Sequence, residues 1–133
     1  MSDWITDYYA DVDAMRLDEY VARHTSDATV VFANNPPAVG RAAIKEAIGG
    51  FFSLIGGLRH EVRNRWDVND GTTCVLEVVT HYTTKGGAAV PLPCVSILDR
   101  APDGLVSSLR IHIDLAPLFA TLQAESQETA AVS

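Results

Sequence analysis

The chain has 133 residues, 47% of them hydrophobic and 20% charged, with a formal net charge of -7. That length and balance describe one domain that buries a core of its own without covalent staples. The acidic charge repels phosphate backbones, and no apolar run reaches the roughly 18 residues of a membrane span, so neither nucleic acid nor a membrane is an expected partner.

Trp4, Ile5, Tyr8, Val12 and Met15 recur on one stripe at helical spacing, with acids between them, and Ser2 or Asp3 can cap the start. Acids stand here where a secretory signal carries lysine and arginine, so a cytoplasmic address is expected. Leu17, Tyr20, Val21 and His24 predict a second, short helix. DATVVF, Asp27 to Phe32, reads as a strand, and NNPPAVG as a loop, because two prolines remove two backbone donors and asparagine favours turns. Ile44, Ala47, Ile48, Phe51, Phe52 and Ile55 form the wide apolar face of a third helix, which Gly56 and Gly57 are expected to end.

Strands follow. From Leu58 to Val68 the pattern alternates: Leu58, His60, Val62, Asn64, Trp66 and Val68 share one face. Arg59, Glu61, Arg63, Arg65 and Asp67 share the other, which reads as a solvated row. Asn69-Asp70-Gly71 is a hairpin signal. The next strand, Thr72 to Thr84, sets Cys74, Leu76, Val78, Thr80 and Tyr82 on one face and Val75, Glu77, Val79 and His81 on the other. Val90 to Asp99 sets Leu92, Cys94 and Ser96 against Pro91, Pro93, Val95 and Ile97. Leu105 to Ile113 is the last strand. A final helix is expected near Leu115 to Gln123, starting at Asp114, with residues 124–133 as a frayed tail behind a single domain spanning 1–123. Cys74 and Cys94 read as small buried hydrophobes, and His24, His60, His81 and His112 have no ligand spacing, so no metal or other cofactor is expected.

Three helices followed by consecutive hairpins predict an α+β domain. A curved antiparallel sheet wraps around three N-terminal helices as a cone, with a short C-terminal helix. Val75, Val79, Val95 and Ile97 make the second face of the sheet apolar as well, and a second copy of the chain, in a homodimer, is the expected cover.

The run DATVVFANNPPAVGRAAIKEAI, a strand, a proline loop and Gly-Arg opening an amphipathic helix, resembles the nuclear-transport-factor-2-like superfamily. DGLVSSLRIHIDLAPLF looks like the closing strand and helix of the same group, which includes ketosteroid isomerases, limonene epoxide hydrolases and SnoaL-like polyketide cyclases. The resemblance implies a conical, commonly dimeric fold with a ligand in its mouth. Carried over residue by residue, the isomerase base falls on Phe32, its protonated aspartate on Val95 or Ser96, and its tyrosine on Tyr8. The hydrolase Arg and first Asp fall near Val78 and Thr80, the second Asp on Ile111, the tyrosine on Phe32 and the asparagine on Asn34. The cyclase acid leaves only Asp114, at the strand's end. Neither the isomerase set nor the epoxide hydrolase set is intact.

A mostly apolar pocket is expected between the third helix and the sheet, with Tyr8, Asn34, Thr80, Tyr82, Cys94 and Ile111 as candidate ligand contacts for a small hydrophobic molecule. Tyr8 and Asn34 are expected to bond each other, a water or a ligand. Arg110, His112 and Asp114 alternate on one face of the last strand. They read as a helix cap, interface groups and a partner for Glu77 unless a bulge reverses the facing. No catalytic residue is assigned, and His60 is the one candidate base on the inner face. Two functions stay open: a pocket protein that binds a small apolar molecule, and an isomerase, cyclase or hydratase acting on one.

Overall fold

A computed structural model describes residues 3–132. Helix α1 spans Trp4–Asp13, and Asp3 caps it by accepting the Thr6 N–H at 3.2 Å. Ser2, the other expected cap, lies outside the described residues. The stripe turns inward as expected at Ile5, Tyr8 and Val12, but Asp11 is buried with it. Arg16, at 2.7 Å, and Arg23 both bind its carboxylate, which compensates the buried charge and holds it below the usual carboxylate range against the pull of desolvation.

Helix α2 runs Leu17–Ala22, shorter than its periodicity predicts, and His24 instead opens strand β1, His24–Phe32. The residue is still buried, because its ring closes the end of α2: Nδ1–H donates to the Tyr20 carbonyl at 2.9 Å. The proline loop carries a two-residue strand, β2 (Ala38–Val39), and α3 follows over Arg41–Phe52. Gly56 and Gly57 do not end that helix, which stops at Phe52. They lead into β3, Gly57–Val68. Gly56 N–H donates to the Thr83 carbonyl, and a Cβ there would sit 2.7 Å from the Thr84 oxygen. Close backbone approach, not helix termination, requires this glycine.

Strands β4 (Thr73–Thr83), β5 (Ala89–Arg100) and β6 (Val106–Ile113) continue the antiparallel meander, and β6 pairs in parallel with β1. The six strands lie in the order β2-β1-β6-β5-β4-β3 as a curved, unclosed sheet. Asn69 and Asp70 both adopt positive φ in the β3–β4 hairpin, as their turn chemistry predicts. The expected alternation along β3 fails at one place. Val62 pairs with Val78 but Asn64 pairs with Glu77, so Arg63 is an extra residue in a bulge. Beyond it the two faces exchange. Arg65 turns inward to bind Asp3 at 2.6 Å, while Trp66 and Val68, expected inside, stand 50% and 42% exposed on the outer face.

Helix α4 spans Ala116–Val132, past the Gln123 where fraying was expected. Alanine, glutamate and glutamine in this stretch are good helix formers. Thr84 Oγ also donates to Glu125 at 2.6 Å, which ties the helix to the β4–β5 turn. The core fills the space between α1–α3 and the inner face of the sheet, where the alternation of Cys74, Leu76, Val78, Thr80 and Tyr82 is buried as expected.

Candidate functional site

The inner face of the sheet and helices α1–α3 enclose a cavity of about 50 Å³. Five of the six candidate ligand contacts line it: Tyr8, Thr80, Tyr82, Cys94 and Ile111. Asn34 does not. It is exposed in the turn after β1, and its neighbour Asn35 makes the turn bonds, donating from both backbone and side chain to the Phe32 carbonyl at 3.1 and 2.7 Å. Asn35 satisfies itself locally, and neither asparagine lines this cavity.

Tyr8 is in the wall but already committed. Because His24 Nδ1 donates to Tyr20, its Nε2 is an acceptor, and the Tyr8 hydroxyl donates to it at 2.9 Å. Burial pushes the Tyr8 phenol well above its ordinary range and holds His24 below its own, so both remain neutral. Tyr8 was expected to bond Asn34, a water or a ligand, and it bonds His24 instead.

The chemistry gathers instead at His60. On β3 it stands directly opposite Thr80 of β4, with Tyr82 one step along the same face. Its Nδ1 lies 2.6 Å from Asp13 Oδ1 at the end of α1, and its backbone N–H donates to Asp13 Oδ2 at 3.2 Å. Its ring packs on Tyr9, centroids 4.5 Å apart. A carboxylate on Nδ1 fixes the proton there in the neutral ring and leaves Nε2 as a basic nitrogen. Among the described residues nothing bonds Nε2. Asp13 was legible only as an acid between apolar residues, and no local spacing links it to a residue 47 positions away.

The other polar walls are neutral. Cys94 Sγ lies 3.6 Å from Ser96 Oγ, and burial raises the thiol above its ordinary range. Desolvation likewise holds the Tyr9 and Tyr82 phenols protonated. Phe32, Thr80 and Ile111 line the cavity. Arg110, His112 and Asp114 lie outside it. Arg110 pairs opposite Ile97 and binds Asp99 at 3.1 Å, His112 lies opposite Val95, and Asp114 caps α4 by accepting the Ala116 N–H at 3.0 Å. Glu77 takes its hydrogen bond from Asn64 at 2.7 Å, not from that strand. Among the described residues no three His, Cys, Asp or Glu side chains gather as a metal site requires, and no helix is long and apolar enough to cross a membrane.

The profile of the SnoaL-like domain family matches residues 5–109. No curated protein matches the sequence. Among solved structures, the epoxide hydrolase/cyclase-like enzyme SalBIII, described for pyran ring formation in the polyether salinomycin, is 19% identical with a TM-score of 0.73 over 84% of this chain and 88% of its own. A protein of Catenulispora acidiphila with a ketosteroid isomerase-like fold, solved with trimethylamine, is 16% identical, TM-score 0.76, over 87% and 88%. TerC, co-crystallised with polyporic acid, is 18% identical, TM-score 0.74, over 90% and 95%.

Proposed function

Because the chain belongs to the SnoaL-like domain family, within the nuclear-transport-factor-2-like superfamily, we propose that its cavity takes a small, mostly apolar molecule and that His60 moves a proton on it. The observation that carries this reading is the Asp13–His60 bond of 2.6 Å on a residue that lines the cavity. A base oriented by a carboxylate, with its second nitrogen unpartnered, is the arrangement general acid–base catalysis needs. The reaction class that fits is abstraction and return of a proton beside a carbonyl, as in isomerisation, cyclisation or dehydration. The catalytic set differs from those of the resembling isomerases and hydrolases, whose acids are replaced here by Phe32 and Ile111. Two solved structures of like fold are described with oxygenated small molecules, which supports the ligand class. The same proposal holds the working form to be a cytoplasmic homodimer that pairs through the outer face of the sheet.

The mostly apolar cavity also favours a second reading, a carrier that binds without reacting. Deuterium exchange at the carbon beside the carbonyl of 2-tetralone, followed by proton NMR in D2O, separates the two. The enzyme reading expects catalysed exchange that falls about 10²–10⁴-fold in His60→Gln, the usual worth of a positioned general base. Tetralone that binds but exchanges no faster than in buffer leaves the carrier reading.

A further inference from the structure

Tyr82 stands apart from the other buried tyrosines of the cavity. Its side chain is 3% exposed, and among the described residues nothing hydrogen-bonds its hydroxyl, whereas Tyr8 has His24. Among the described residues no side-chain polar atom sealed away from open space lacks a partner, so the Tyr82 oxygen is not sealed, and Tyr82 lines the cavity. A buried hydroxyl without a partner is costly, and a ligand oxygen would satisfy it.

The cavity alone is too small for a ligand of ordinary size. Its volume of about 50 Å³ falls well below the roughly 300–1,000 Å³ of ligand sites. A second hollow, of about 360 Å³, lies between α3, the proline loop and α4. The two share three wall residues, Phe32, Ile48 and Phe51. The Phe51 ring meets Phe32 edge-on at 4.8 Å and Tyr82 edge-on at 5.6 Å, so it is the partition between the hollows. On the outer side Leu54 and Phe119 stand 47% and 44% exposed. Among the described residues no Asp, Glu, Lys or Arg lines either hollow.

We infer that the two hollows are halves of one elongated site for a neutral molecule, whose oxygen accepts or donates a hydrogen bond at Tyr82 and whose apolar arm passes Phe51 to lie on Leu54 and Phe119. No carboxylate, ammonium or guanidinium lines this path to compensate an ionised ligand, and an arm of several carbons gains burial at each step. This names the ligand class of the proposed enzyme and rests on the same cavity, but it is read by binding and requires no proton transfer by His60.

The probes are 4-alkylphenols from ethyl to octyl, uncharged at neutral pH, titrated calorimetrically into the full chain. For the wild type, affinity should rise by up to about fourfold per added methylene, the burial of one CH₂ expressed as a binding constant. Tyr82→Phe should weaken every member by the same factor, roughly two- to tenfold, and leave the chain-length slope intact. Leu54→Asp, at an exposed position that should not disturb folding, should flatten the slope for the long members and spare 4-ethylphenol. Thermal melts of both variants confirm that the fold is retained. A wild-type series without chain-length dependence overturns the inference, as does a Tyr82→Phe series that superimposes on the wild type. Tetralone exchange with a flat phenol series removes the elongated site and leaves His60 as the proton-transfer group. The reverse result removes the acid–base reading and leaves the site.

Discussion

Asp13 Oδ1 and His60 Nδ1 lie 2.6 Å apart, while the other oxygen of the same carboxylate accepts the His60 backbone N–H at 3.2 Å. One side chain at the end of α1 thus orients both the ring and the strand that carries it. The ring is also stacked on Tyr9, one helical turn before Asp13. Helix and strand together leave the imidazole little freedom to turn, and a base held this way is already positioned before a ligand arrives.

Asp13→Asn tests that relationship. An amide can donate to Nδ1, which favours the tautomer with its proton on Nε2 and removes the base from the cavity. Tetralone exchange should fall about 10–10³-fold, less than the 10²–10⁴-fold expected on losing His60. The double variant should be no slower than His60→Gln alone, because the two act as one unit. Additive losses would sink the pairing. Nitrogen-15 spectra of the ring report the tautomer directly and separate this effect from loss of structure.

The Tyr8–His24 bond carries a prediction about pH. Desolvation lowers the folded-state pKa of His24 below the ordinary imidazole value of 6.5. The unfolded chain therefore binds this proton at a pH where the folded chain does not. Stability from this group is fully present above about 6.5 and falls as pH drops from there toward the folded-state pKa. Asp3 and Asp11, whose folded-state pKa values are also lowered, withdraw their contribution only further down, near and below 3.8. Thermal melts between pH 7.5 and 5 should show Tm declining with acid, with a shallower decline in His24→Gln. An identical slope in that variant would assign the loss to another group.

What was legible in the chain follows from the range of each signal. The α+β class, the meander and the inward faces of β4 and β5 are written in local periodicity, and residues such as Leu76, Val78, Leu92 and Cys94 are buried where alternation puts them. Thr80, Tyr82, Cys94 and Ile111 line the cavity because strand parity decides their facing, and Tyr8 because helical periodicity decides its own. Asn34 does not line it, because it is exposed in the turn after β1, where its neighbour Asn35 makes the turn bonds. Asp13 was not legible as the partner of His60 because only the assembled fold brings α1 against β3.

The bulge at Arg63 illustrates the limit, since no residue type announces it. Deleting Arg63 removes the extra residue, so the ladder becomes regular while Asn64 still faces Glu77, Arg65 still points inward opposite Leu76 and Trp66 still points outward opposite Val75. Arg65 keeps the bonds to Asp3 that anchor the start of α1. We expect stability within about 0.5 kcal/mol of the wild type, the range of a change that breaks no buried contact, read in urea melts. A loss of about 1 kcal/mol or more would show that the bulge itself supports the fold.

The exchange of faces at that bulge also shapes the outer surface, where the last prediction lies. Trp66 pairs across to Val75, Val75 to Ile97, and Val95 lies opposite Glu77 on the next strand. With Val79 and Pro93 these residues form an apolar strip over the middle of the sheet. Glu61–His81 at 2.8 Å and Arg110–Asp99 at 3.1 Å frame it, and the Asn64–Glu77 pair at 2.7 Å lies within it, between Val75 and Val79. An apolar centre inside a polar rim is the anatomy of a protein interface, and a large half-exposed tryptophan is the residue type that dominates binding energy in one. A second copy of the chain, related by a two-fold axis, presents the same strip and rim, so the surface is complementary to itself. A stable pair should bury roughly 1,200–2,000 Å² in total. Sedimentation at micromolar concentration should give a dimer for the wild type. Trp66→Glu should weaken it by at least about 30-fold, a loss of about 2 kcal/mol or more at a hot spot. The substitution touches no residue of the cavity, so 4-ethylphenol binding should persist in the monomer. A wild-type chain that sediments as a monomer at that concentration would leave the apolar strip without this explanation.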